Sequence, residues 1–216
     1  GVRRLSVLVK KDPIFLKLME LPILISTAEK IIQAPFKLSD MQMRDPLKGF
    51  GFQRLHIDGK IRNRISDPAS MVVCFLSLDN SKKSNGAIAI VPKSHKSLVN
   101  PKDSIKVMHT RKDEKILEAQ KGSILIVDPN LWHRGRNNSS GARRRAILIN
   151  YRNRNIHQQV HMKQQFLNSD ASNLTAKQKY LLSLGANDPN FYYDRIIFRY
   201  RNNLILKFLS QIKKNF

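Results

Sequence analysis

Met71-Val72-Val73-Cys74-Phe75-Leu76-Ser77-Leu78 belongs to a series of short apolar runs that fill the middle of the chain. Working outward, similar runs occupy 36–43, 52–57, 87–92, 105–109, 123–128 and 145–151. Most are rich in Val, Ile, Leu or Phe and are bounded by Gly, Pro, Asn, Asp or Ser. That is the pattern of strands in an all-β sandwich or barrel. Ser84-Asn85-Gly86, Lys121-Gly122 and Asp128-Pro129-Asn130 are the turn signals between them.

The ends read differently. Residues 12–33 carry Phe15, Leu18, Met19, Ile23 and Ile25 at helical spacing, with a break or kink at Pro22 and a stop at Pro35. Residues 175–184 predict a short helix with Gly185 as its stop. Ile197, Tyr200, Leu204, Phe208 and Ile212 define a basic amphipathic helix, packed on the sheet or lying on an anionic membrane through 195–214. The expected organisation is one domain over 1–216: helical in 1–35, β-rich in 36–152 and mainly helical in 153–216.

The 216 residues carry a formal net charge of +23, spread along the chain. Such an excess suits contact with nucleic acid, a membrane surface or a phosphate-bearing substrate. An AT-rich coding bias toward Lys, Asn and Ile accounts for it equally well. With aromatic content of 7% and no base-stacking motif, the sequence gives nucleic-acid binding little support. No apolar run reaches the eighteen residues of a membrane helix. The start shows no secretory signal, and because the chain opens on Gly, native residues are expected to precede it. The lone cysteine, Cys74, reads as a buried structural thiol in a reducing, cytoplasmic setting.

The segment Gln53-Arg54-Leu55-His56-Ile57-Asp58-Gly59 carries the chemistry. In a strand, His56 and Asp58 share a face and Ile57 points away. An imidazole and a carboxylate side by side supply two ligands of a facial triad on non-haem Fe(II). His133, far along the sequence but after a strongly β-like run, is the candidate third ligand. A dicarboxylate cosubstrate needs a cation for its distal carboxylate, and Arg143, Arg144 and Arg145 follow. Alternation turns inward either Arg144 alone or its two neighbours.

Four landmarks, in order, resemble the phytanoyl-CoA dioxygenase family. They are Gln53 with His56-x-Asp58; Ser77-Leu78-Asp79 leading to Asn85-Gly86-Ala87; Val91-Pro92-Lys93-Ser94-His95; and Gly122-Ser123, His133, Asn137 and Arg144. The resemblance spans about residues 36–152. It implies a double-stranded β-helix, a cupin-like jelly roll: an all-β core with flanking helices. It also implies Fe(II) held by His56, Asp58 and His133, with O2 and 2-oxoglutarate as cosubstrates. The family's cosubstrate arginine lies eleven residues after the second histidine, which selects Arg144. The expected reaction hydroxylates a C–H bond of a small or carrier-linked substrate, with release of succinate and CO2. A carboxylate at Asp58 argues against halogenation, since related halogenases carry a small residue there. Lys93 departs from the family's usual Gly. The alternative class is a basic nucleic-acid- or membrane-binding protein on the same scaffold.

Among the remaining candidates, His95 is expected to cap a turn and His109 to be partly exposed. His157 and His161 are expected to face solvent, because Gln158 stands where a zinc protease needs Glu. Trp132 is expected to pack in the core.

Overall fold

In a computed structural model of the chain, residues 1–166 and 171–185 are described. Among the described residues, eight strands form two antiparallel sheets. The larger has the order β1-β2-β8-β3-β6, built from β1 (Val2–Leu5), β2 (Phe36–Pro46), β8 (Ala146–Asn153), β3 (Met71–Ser77) and β6 (Ile124–Val127). The smaller has the order β5-β4-β7, from β5 (Lys115–Leu117), β4 (Ile88–Ile90) and β7 (His133–Arg134).

Alternation sorts the larger sheet into two faces. Val72 and Cys74 of β3 and Ile147, Ile149 and Tyr151 of β8 pack outward, against Leu24, Ala28 and Ile32 of α2 (Pro22–Ile32) and Leu181 and Leu182 of α5 (Ala176–Leu182). The Tyr151 hydroxyl donates to Met19 O at 2.5 Å, tying the sheet to the segment between α1 (Pro13–Leu18) and α2. Met71, Val73, Phe75, Ala146 and Leu148 point inward and meet Ile88 of the smaller sheet. The interior between the sheets is therefore apolar at this end. The same inner face of β2 and β8 continues into Asp40, Gln42, Arg44 and Asn150, which is where the site begins.

The helices begin where capping chemistry allows. Asp12 accepts from Ile14 N–H at 2.8 Å and Pro13 takes the first helical position of α1. Pro22 does not kink one long helix; it starts α2 at the same position, so residues 12–33 form two helices. Thr175 and Gln178 make a reciprocal capping box at α5. The stop expected at Gly185 falls earlier, because Ser183 takes the left-handed conformation with φ 62° after Leu182. Two further short helices are α3 (Pro101–Ser104) and α4 (Met162–Phe166), the latter burying Met162 and Phe166 against the outer core.

Other expectations need correction. The start is not wholly helical: β1 adds an edge strand to the larger sheet. The strand expected over 105–109 does not form. The Arg134 guanidinium takes His109 O at 2.6 Å and shares Val107 O, at 3.2 Å, with a backbone N–H of another segment, while His109 N–H turns back to Lys106 O, so no ladder runs along these residues. The basic amphipathic helix expected over 195–214 lies outside the described residues. Among those described, no helix is long and apolar enough to cross a membrane.

Candidate active site

Residues 53–58 do not form the strand expected over 52–57, because their backbone partners lie on different segments. Gln53 N–H donates to Gly135 O at 3.0 Å and Leu55 N–H to Val107 O at 2.9 Å. His56 and His133 exchange both backbone bonds at 3.0 Å each way. That single bridge sets the site, since directly paired residues of an antiparallel bridge project side chains to the same side. The two imidazoles lie with centroids 4.4 Å apart. Asp58 and Gly59 then donate N–H to Pro129 O at 2.9 and 3.2 Å, so the turn over 128–130 holds the carboxylate beside the rings. Ile57 faces the other way and packs with Leu55, Val91 and Trp132.

The ring nitrogens are assigned by their partners. His56 Nδ1 lies 2.8 Å from Arg54 O and His133 Nδ1 lies 2.9 Å from Leu131 O. A carbonyl only accepts, so each Nδ1 carries hydrogen and donates. Each neutral ring therefore presents its Nε2 lone pair to the site. His133 Nε2 is 3.3 Å from Asp58 Oδ2, and His56 Nε2 is 3.8 Å from Asp58 Oδ1. The three donor atoms lie within 4.8 Å of one another. Adjacent ligands on one metal with bonds of ~2.1 Å sit roughly 3 Å apart, so closure onto a metal needs side-chain shifts well under the width of an atom. Two imidazoles and one carboxylate on one side, with a cavity on the other, are the donor set of the non-haem iron facial triad.

Electrostatics fit that use. Burial, then the neighbouring His133, push His56 below the ordinary imidazole range. Burial pushes Asp58 up, but the bond from His133 and the nearby charges of His133, His56 and Arg44 outweigh it and hold the carboxylate down. Burial likewise works against a charged His133, and the Asp58 bond and charge overcome it, so His133 binds a proton more tightly than usual.

The cavity beside these groups measures about 330 Å³. Apolar side chains Val73, Phe75, Ile88 and Leu148 form one wall, and Arg144 lines it as well. Arg144 alone of the arginine triplet faces it. Arg143 is exposed, and Arg145 turns away to a two-pronged pair with Asp79 at 2.9 and 2.8 Å. Burial, offset in part by Asp45, lowers the Arg144 pKa, and its Nε is buried without an acceptor among the described residues. A half-buried guanidinium that faces a cavity with its Nε lacking an acceptor suits an incoming carboxylate.

The phytanoyl-CoA dioxygenase profile matches residues 3–146. The chain belongs to the phytanoyl-CoA dioxygenase family. It is accordingly an enzyme of the 2-oxoglutarate-dependent oxygenase type, with iron and 2-oxoglutarate as its working pair. Solved structures of similar fold include HygX from Streptomyces hygroscopicus with nickel and 2-oxoglutarate bound. It is 16% identical, with 70% of each chain covered and a TM-score of 0.59. The non-heme alpha ketoglutarate dependent epimerase SnoN from nogalamycin biosynthesis is 13% identical, with a TM-score of 0.57 over 71% of this chain and 63% of that one. At these identities the likeness speaks to the jelly-roll fold. No curated protein matches by sequence.

The other phytanoyl-CoA dioxygenase landmarks are structural. Gln53 Oε1 accepts from Gly135 N–H at 3.0 Å, and a Cβ at Gly135 would lie 2.7 Å from Gly51 O, so only glycine fits beside the bridge. Asn85 donates to Asn80 O and Arg143 O, holding the arginine segment in place. Asn138, not the landmark Asn137, is the buried asparagine, donating to Pro46 O and Ala142 O at 2.9 Å. Lys93 adopts φ 66°, which explains the glycine expected there. The turn that His95 was expected to cap is instead held by Ser94, whose hydroxyl donates to Val91 O and accepts from Trp132 N–H. Trp132 packs as expected, and Cys74 is buried, its thiol pushed up to about 12 by desolvation. His109 is exposed. His157 and His161 are half-buried rather than solvent-facing, and Gln158 between them is buried, donating to Leu38 O and Leu182 O.

Sequence reasoning missed three residues around the site. Arg134 is fully buried, pairs with Glu114 at 2.6 Å, and fixes the register of β7 next to His133. Arg44 and Arg4 line the cavity. The strand expected over 36–43 ended one residue short of Arg44; extending its alternation by one step would have found it.

Proposed function

We propose that His56, Asp58 and His133 hold one Fe(II), that Arg144 takes the distal carboxylate of 2-oxoglutarate, and that the enzyme hydroxylates a C–H bond of a small or carrier-linked molecule. The observation that carries this reading is the convergence of two backbone-anchored imidazoles and one carboxylate on the cavity that Arg144 also lines. Iron with 2-oxoglutarate supplies the oxidising power, splitting the cosubstrate to succinate and CO2.

The chain's own residues supply position and exclusion. The carbonyls of Arg54 and Leu131 fix the imidazole tautomers, so both rings are ready to ligate without rotation. Asp58 stays ionised at neutral pH and brings one negative charge, which lowers the charge of a divalent metal centre. Arg144 provides two parallel donors, which set both the place and the orientation of a dicarboxylate. Asn85 and Asp79 position it through Arg143 O and the Arg145 backbone and guanidinium. The wall of Val73, Phe75, Ile88 and Leu148 keeps bulk water from the reacting C–H bond.

A screen of candidate substrates by succinate release tests the proposal. A true substrate raises succinate stoichiometrically with an oxidised product in the wild type, and Asp58→Ala releases none. Full activity of Asp58→Ala refutes the assignment.

A further inference from the structure

Three arginines line the cavity, and the cosubstrate answers for one of them. Besides Arg144, Arg44 reaches in from β2 and Arg4 from β1. The register of β1 against β2 sets Arg3 opposite Asp45 and Arg4 opposite Arg44. Strand alternation places the first pair on one face and the second on the other. Arg3 and Asp45 bond at 2.6 Å. Arg4 and Arg44 meet as like charges directly across an antiparallel pair, an arrangement that costs stability unless something negative lies between them. Arg44 donates Nε to Gln42 Oε1 at 3.1 Å. Among the described residues, no carboxylate is in ion-pair contact with Arg4 or Arg44.

The charge balance of the loaded site makes the point sharper. Asp58 is the one acid among the residues lining the cavity. Divalent iron, the Asp58 carboxylate and a dianionic cosubstrate together leave one negative charge against three guanidinium groups. Two positive charges remain, that of Arg44 half-buried and that of Arg4 exposed. Asp40, reached from Arg44 through Gln42, does not line the cavity, and its carboxylate is taken up by the Gln42 side chain.

A second observation points to a ligand at the same end. Asn150, 5% exposed and lining the cavity, gives its Nδ2 to Gln159 Oε1 at 3.1 Å, while its Oδ1 is buried with no donor among the described residues. A buried acceptor without a donor costs about 1–3 kcal/mol unless a ligand supplies one. This end of the cavity thus offers cations and one unsatisfied acceptor, and the other end is apolar.

We propose that Arg44, with Arg4 beside it, forms a second anion site that seats the acidic group of the substrate, a carboxylate or a phosphate, and that Asn150 Oδ1 accepts from a hydroxyl or amino group on it. The inference rests on the assignment of Arg144 to the cosubstrate. It narrows the substrate class to small acids bearing a hydrogen-bond donor. It also places their reacting carbon near the metal ligands, since His56, Asp58 and His133 line the same cavity as Arg44.

The test is an anaerobic titration of the Fe(II)-loaded protein with inorganic phosphate and, separately, with acetate. Both are run at constant ionic strength, with and without saturating 2-oxoglutarate. Binding is read by the shift in thermal midpoint and by perturbation of the visible charge-transfer band. At least one anion is expected to bind saturably with the cosubstrate present. Arg44→Gln should weaken it by about tenfold or more, the loss of one charge-assisted contact, and Arg44→Lys should restore most of it. Arg44→Gln should keep its affinity for 2-oxoglutarate and melt no lower than wild type, because a like-charge pair has been relieved. Unchanged anion binding in Arg44→Gln, or no saturable binding of either anion, overturns the proposal. So does a loss of 2-oxoglutarate affinity in Arg44→Gln equal to that of an Arg144 substitution. Wild-type protein that takes up no 2-oxoglutarate refutes the cosubstrate reading instead, and the titrations without cosubstrate then decide the role of Arg44 by the same criteria.

Discussion

Replacing Arg144 with Met removes two charge-assisted donors from the cavity and leaves an apolar stem of similar length. If they bind the distal carboxylate of 2-oxoglutarate, truncating such a pair costs about 2–4 kcal/mol. At ~1.4 kcal/mol per decade, that weakens cosubstrate binding about 30- to 700-fold. The structure predicts a second, opposite effect. Arg144 Nε is buried without an acceptor, and its guanidinium makes no ion-pair contact among the described residues, so the metal-free fold does not depend on it. Arg144→Met should therefore melt at or above the wild-type midpoint. The assay is anaerobic titration of the Fe(II)-loaded protein with 2-oxoglutarate, followed by the visible metal-to-ligand charge-transfer absorption, with thermal melts of the metal-free protein alongside. A cosubstrate affinity within threefold of wild type, or a large fall in melting temperature, would refute the reasoning.

Metal uptake should be proton-linked: His133 holds its proton above the ordinary imidazole range because Asp58 outweighs burial, and a metal must displace that proton. Ni(II) affinity by calorimetry should be flat at alkaline pH and fall as pH drops through that raised value; constant affinity across the range contradicts this. Ser94→Ala strips Trp132 N–H of its acceptor next to His133, at a cost of about 1–3 kcal/mol in urea unfolding, whereas Ser94→Thr, which keeps the hydroxyl, should cost less. The Arg145 bond holds Asp79 at about 2, below its ordinary 3.8. Its contribution is therefore complete above the ordinary value and disappears as pH falls through the folded one. Asp79→Asn should be destabilising at neutral pH and converge with wild type toward pH ~2, and parallel stability curves would exclude the pairing.

The legible parts of the sequence are those where one local rule decides the outcome. Val72 to Leu76 and Ile147 to Tyr151 alternate against a helical layer on one side and an apolar interior on the other, so their strands are readable from pattern alone. The pairing of His56 with Asp58 was readable from alternation, and His133 as their candidate partner from its place after β6; the structure brings the three side chains together. The misses share a cause: partners distant in sequence. Strand β7 is two residues long and exists because His56 and β4 flank it. Residues 105–109 look like a strand but give His109 O to Arg134 and share Val107 O between Arg134 and Leu55. Strand β1, with Arg3 and Arg4 at its centre, lacks an apolar pattern and is defined by its register with β2. The cation cluster at Arg4 and Arg44 exists only through that register.

The central claim is that two imidazoles and one carboxylate share one iron. An anomalous-difference map at the iron edge, from crystals grown anaerobically with Fe(II), tests it most directly. The account predicts a single strong peak in bonding contact with His56 Nε2, His133 Nε2 and an Asp58 carboxylate oxygen, on the side facing Arg144. A peak that omits any of the three, or iron bound elsewhere with this trio still in place, contradicts it.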